Sequence, residues 1–145
     1  MVLLEPFLLV VAACVLLLSV SFGILLHELA HAFVLQLLGI PYEIAWLPGR
    51  GEWTRLYGVF SGTWAVVTPI SVSRNTPSWG LRVAAIAPLL LALPLMLIVA
   101  GLVQDPLSTG NVFTTVGILG FSACAIPSPQ DFSVFWYADR ALEGQ

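Results

Sequence analysis

His27 and His31 are the only two histidines in this 145-residue chain, and they bracket a carboxylate in the stretch His27-Glu28-Leu29-Ala30-His31. On a helix, residues i and i+4 share a face, so two imidazoles at this spacing can ligate one zinc ion. Glu28, between them, then stands where it can take a proton from water activated by the metal. The stretch lies within a long apolar run, and ionisable side chains are costly there, so they point to function. The chemistry implied is metal-assisted hydrolysis at membrane depth. The plainer account of the same residues is a polar cluster that packs helices together.

The elements that must position these groups follow from hydropathy and punctuation. Residues 7–38 hold no ionisable side chain besides His27, Glu28 and His31. At 1.5 Å per residue such a helix reaches roughly 48 Å, more than the ~30 Å hydrocarbon core, so it tilts or projects into one interface. Gly39 and Pro41 stop it. Gly23, one turn before His27, admits either close approach of another segment to the metal-bearing face or simple packing through a small residue. A second helix is expected over residues 82–103, interrupted by Pro88 and Pro94, and prolines of this kind kink membrane helices. A third is expected over residues 111–126. Pro127-Ser128-Pro129 ends it, and an amphipathic tail helix follows over residues 131–142, which Ser128 or Asp131 can cap.

Residues 42–79 differ. Their glycines, Pro69 and the β-branched Val59, Thr63, Val66, Val67, Thr68, Ile70 and Val72 favour strands over a further span. Arg50, Arg55, Arg74 and Arg82 flank or lie in this section and Arg140 lies in the tail. With three spans, all five fall on one side, which the positive-inside rule makes cytoplasmic. The fold expected is therefore an all-α membrane protein of three transmembrane helices, with a small β-hairpin or sheet between helices one and two. The N-terminus lies outside and the C-terminus in the cytoplasm, in a multi-pass protein of the cell membrane. The N-terminus lacks the positive region and cleavage-like break of a signal peptide and reads as a retained helix.

Hydrolytic zinc usually takes three protein ligands and keeps one position for water. The third should be a carboxylate that reaches the depth of His31, about 10 Å below the inner end of the first helix. Asp131 emerges where the third helix unwinds at that same interface. Asp105 falls on the other side, Glu43 and Glu52 belong to the hairpin section, and Asp139 and Glu143 stand further out on the tail. Asp131 is the expected ligand, with His27 and His31, and Glu28 is the expected general base.

Composition sets the class. Hydrophobic residues make up 59% of the chain and charged residues 9%, with a mean hydropathy of +0.97. Soluble domains carry about a quarter charged residues, so this chain cannot cover itself in water. The net charge of −3, with five arginines and no lysine, gives no basic face for nucleic acid. Cys14 and Cys124 have neither redox-pair nor zinc-knuckle spacing and read as small hydrophobes. A lesser alternative puts Cys124 near the metal.

On these residues the chain resembles the site-2 protease group of intramembrane zinc metallopeptidases. The matches are His27-Glu28-Leu29-Ala30-His31, Asp131 about a hundred residues later, and Ala87-Pro88-Leu89, which is similar to that group's Gly-Pro segment in helix two. The resemblance covers about half of the chain, and HExxH is its one specific motif. It implies a single integral-membrane metallopeptidase domain over residues 1–145, with Zn2+ as cofactor and a membrane-protein or peptide substrate within the lipid bilayer. It implies that the β-rich section holds substrate extended, and self-association is left open. The sequence also departs from the group. Helix two lacks the Asn that helps stabilise the oxyanion, with Leu91 near its place, and Phe132 rather than Gly follows Asp131. Asn75, Gln130 and Ser128 are alternative donors. Two other functions stay open: a metal-binding membrane protein without hydrolysis, and a small structural subunit of a membrane complex.

Overall fold

The computed structural model describes residues 5–46, 65–70 and 76–143. The described chain is mostly helical, with one small antiparallel sheet. Helix α1 spans Pro6–Leu37 without a break. Strands β1 (Tyr42–Trp46) and β2 (Ala65–Pro69) follow, then α2 (Ser78–Ile86) and a 3-10 segment, Ala87–Ala92. Helices α3 (Leu93–Val99), α4 (Val112–Ala123) and α5 (Pro129–Glu143) complete the order. By length and composition, two helical stretches can cross a membrane, Pro6–Leu37 and Ser78–Val99. Only 6% of the most apolar window of the first is buried, so it is no core helix of a water-soluble domain.

The expected mostly helical chain with a small antiparallel sheet is present, but of the three expected spans only two are long and apolar enough to cross a membrane. The second helix starts at Ser78 instead of residue 82, because Pro77 occupies the N-cap position, and proline pre-sets the dihedral of a helix start. It stops at Val99, short of residue 103, where Gly101 takes a φ of +72°. The third helix is twelve residues long, about 18 Å, against a ~30 Å hydrocarbon core. Asn111 caps its start, its side chain accepting the Thr114 N–H at 3.1 Å. Of the β-rich section, Val59, Thr63, Val72, Asn75, Glu52, Arg50, Arg55 and Arg74 lie outside the described residues.

The chain divides into two compact units. The first comprises Met1–Gly23 and Leu89–Ile126. Its helices approach through glycine. A Cβ on Gly23 would come within 2.7 Å of the Cys124 sulfur, and one on Gly120 within 2.8 Å of Leu16. Of the two accounts of Gly23, packing through a small residue is the one seen, and Cys124 is what packs there.

The second unit comprises Ile24–Pro88 and Pro127–Gln145. Its core is Leu35, Ile40, Leu81, Ala84 and Ala138, with Val34, Leu38, Tyr42, Val67 and Leu142 packed around it. The small residues Ala84 on α2 and Ala138 on α5 both lie in this core, where the two helices pack against each other. Arg82 on α2 reaches Asp139 on α5 at 2.5 Å, a pair too exposed to add much stability. The end of α1 explains how this core begins. Gly39 adopts a φ of +66°, Ile40 N–H donates to the Leu35 carbonyl, and Gly39 N–H to that of Gln36. This is a Schellman stop, and its hydrophobic partners Ile40 and Leu35 are both core residues.

Strands β1 and β2 pair with Ile44 opposite Val67 and Glu43 opposite Thr68. Just beyond, Ile70 N–H donates to the Pro41 carbonyl. Hydrogen-bonded and unbonded pairs alternate along an antiparallel ladder, so Ala65, Val67 and Pro69 turn their backbone groups away from β1. Pro69 fits because it has no N–H to leave unpaired.

Candidate metal centre

All elements of the candidate site belong to the second unit. His27 and His31 come from consecutive turns of α1, and Asp131 from the first turn of α5. Their ligand-capable atoms lie within 4.8 Å of one another. His27 Nε2 is 3.3 Å from His31 Nε2 and 3.4 Å from Asp131 Oδ2. His31 Nε2 is 3.2 Å from Asp131 Oδ1. Nitrogen and oxygen ligands about 2.0–2.1 Å from a tetrahedral zinc are separated by about 3.3 Å along each edge. The two imidazoles, and each imidazole with its nearer carboxylate oxygen, stand at about that spacing, so the three residues could hold such an ion.

Electrostatics argues the same way. His31 Nδ1 lies 2.7 Å from the Ala84 carbonyl oxygen. A carbonyl only accepts, so Nδ1 donates and carries the proton. In the neutral ring that leaves Nε2 as a lone pair facing a carboxylate oxygen and a second imidazole nitrogen. Acceptor atoms converging at these distances require positive charge between them, either protons or a metal ion. This backbone contact is the outer-shell bond that metal-ligating histidines regularly make.

Asp131 is held by local structure. Ser128 is the residue before α5, and its Oγ accepts the Asp131 N–H at 3.2 Å, while Asp131 Oδ2 accepts the Ser128 N–H at 2.6 Å. This reciprocal pair is a capping box, with Pro129 at the first helical position. The cap and ligand readings of Asp131 thus describe one geometry: the box aims the carboxylate at both imidazoles. Partial burial pushes that carboxyl up. Hydrogen bonds from His27, from His31 when its ring is protonated on both nitrogens, and from Ser128 outweigh the burial and hold it well below the usual carboxylate range.

Glu28 stays out of this triangle. Its carboxylate lies within electrostatic reach of the backbone N–H of Val67, one of the β2 groups turned away from β1. Sequence reasoning missed this contact and the Ala84 carbonyl. The first needs the docked position of a strand, and the second is a backbone atom. Pro88, four residues after Ala84, was the available signal for the second.

Among the described residues, the alternative ligands do not join the cluster. Glu43 is exposed on β1, Asp139 pairs with Arg82, and Glu52 lies outside the described residues. Among the candidate oxyanion donors, Gln130 is exposed, Ser128 serves the capping box, and Asn75 lies outside the described residues. Leu91 is buried and apolar. No family model, curated protein or solved structure matches this chain.

Proposed function

We propose that the chain is a zinc-dependent intramembrane endopeptidase, similar in its residues to the site-2 protease group, cleaving membrane-associated peptides. The observation that carries this reading is the convergence of His27, His31 and Asp131 at 3.2–3.4 Å, with Glu28 beside them on the same helix. In the proposed arrangement α1, the Ser78–Val99 stretch and α4 form a three-helix membrane core.

A zinc ion held by the three ligands would supply Lewis-acid polarisation of a carbonyl and lower the pKa of water towards ~7. The chain's own residues do the rest. Glu28 takes a proton from water and returns it to the leaving amine. The Val67 N–H lies beside the Glu28 carboxylate at the edge of β2 that faces away from β1, next to the backbone an extended peptide would pair with. A substrate helix must unwind before its amide is accessible, because its backbone bonds are satisfied internally. Strand addition to β2 offers those freed groups replacement partners.

The second reading, metal binding without hydrolysis, is favoured by the apolar Leu91 near the place of an oxyanion donor. One experiment separates the two. Purified wild type and Glu28→Gln are assayed for zinc content and for cleavage of a reconstituted panel of single-span peptides. Equal zinc with cleavage only in wild type supports the peptidase. Equal zinc with no wild-type cleavage, and an unchanged binding function in the variant, supports the second reading.

A further inference from the structure

Pro88 is usually the kind of residue one assigns to a kink, and its surroundings give it a more specific task. In an α-helix each carbonyl accepts the N–H four residues on. For Ala84 that residue is Pro88, which has no N–H, and whose ring crowds the carbonyl four residues back. The helix accordingly tightens into the 3-10 segment Ala87–Ala92. Ala87 N–H donates to the Ala84 carbonyl in the shorter i+3 pattern. One acceptor site on that oxygen is left over, and His31 Nδ1–H occupies it at 2.7 Å. The place is dry: Pro88 is less than 2% exposed, Ala84 5% and His31 9%.

We propose that Pro88 is a positioning residue for the metal centre: by withholding its N–H it leaves the Ala84 carbonyl to His31 and fixes that imidazole with Nε2 towards His27 and Asp131. The inference rests on the metallopeptidase reading for its purpose, though its physical content concerns the apo protein alone. An ordinary residue at position 88 would donate the missing helical bond and compete for the oxygen. The imidazole would then lose the partner that selects its tautomer, and a neutral imidazole without one favours the proton on Nε2, the atom needed for the metal.

The chain's two histidines make a direct test practical. Full-length protein carrying 15N-histidine in detergent yields two imidazole spin systems, assigned with His27→Ala. At a pH where both rings are neutral, metal-free wild type should show His31 protonated on Nδ1. Pro88→Ala should move most of that population to Nε2 and weaken zinc binding about tenfold, the low end for loss of an outer-shell partner. Pro94→Ala, a second helix proline outside this geometry, should change neither. A wild-type His31 protonated on Nε2 overturns the proposal, even if Pro88→Ala fails to fold. So does a folded Pro88→Ala with the wild-type tautomer and zinc affinity within twofold. Absence of zinc binding in wild type alongside the expected tautomers would sink the peptidase reading and leave the role of Pro88 standing.

Discussion

The Glu28 carboxylate interacts with the Val67 backbone N–H, so the candidate base and the edge of β2 that faces away from β1 are one physical unit. A strand that adds to this edge must come alongside Glu28, because Ala65, Val67 and Pro69 all present their backbone there. Replacing Val67 with proline removes the N–H and leaves the three metal-binding side chains unaltered. Cleavage should fall at least tenfold with zinc content unchanged. Retention of full activity in a zinc-loaded Val67→Pro protein would mean that neither the strand edge nor this contact serves the reaction.

Ligand and base roles separate by metal content. His27→Ala and Asp131→Asn should both lose most of the zinc that wild type carries at about one per chain, the stoichiometry of a three-ligand site. Glu28→Gln should keep its zinc and lose cleavage by about 10²–10⁴-fold, the usual span for a general base. Elemental analysis with a peptide assay on the same samples decides. Zinc lost from His27→Ala but kept by Asp131→Asn would reopen the third ligand.

The two duties of Asp131 can also be pulled apart. Asp131→Asn keeps an oxygen able to accept the Ser128 N–H, so α5 should stay capped while the metal is lost. Ser128→Ala removes the Oγ acceptor and should cost about 1 kcal/mol of stability, a typical value for a lost cap. Its zinc affinity should fall only severalfold. Thermal unfolding of the apo proteins, set beside zinc titrations, gives both quantities.

Proton competition gives the pH dependence its sign. The imidazole ligands must be deprotonated to bind metal, so affinity rises with pH through the range where imidazoles titrate. The Asp131 carboxyl is held well below the usual carboxylate range and stays ionised throughout that interval. Zinc release on acidification should therefore be accompanied by proton uptake at the imidazole ligands, with none at Asp131. A steeper dependence, removed by Asp131→Asn in residual binding, would contradict the hydrogen-bonded carboxylate.

In the first unit, Gly23 packs closely against Cys124. A β-branched side chain there would strike the Cys124 sulfur and Cβ, 2.7 Å and 2.9 Å from the position of its own Cβ. Gly23→Val should destabilise the protein by about 1–3 kcal/mol, the range for overpacking. Cys124→Gly in the same chain should recover part of this, and a double-mutant cycle measures the coupling. Additive effects would show that the two residues do not compete for space.

Much of this architecture was legible because the signals were local. The apolar run gave α1, and Gly39 with Pro41 marked its stop, realised as the Schellman turn. The four-residue spacing of His27 and His31 put both rings on one face. Asp131 was legible as a cap by its place after Ser128-Pro129, and the capping box is present; it also stands with His27 and His31 in a cluster that could hold a metal ion. What could not be read was non-local or carried by backbone. The second helix was expected from residue 82, whereas it starts four residues earlier at Ser78, after Pro77. Ala84 enters the site through a carbonyl, which leaves no mark in residue type. Val67 enters through an N–H whose direction depends on its register with Ile44.

Asp131 stands 100 positions after His31 (131 minus 31), and an ion held by both closes the intervening chain into a ring. In the chain-entropy picture, a covalent cross-link spanning about 100 residues restrains the unfolded chain by about 4.7 kcal/mol, and coordination acts in the same way to the extent that it survives unfolding. The capping box places one end of that ring at the first turn of a helix, so metallation and the winding of α5 reinforce each other. The ion would then be a clasp as well as a reagent, and a chelator would loosen the very segment that presents its third ligand.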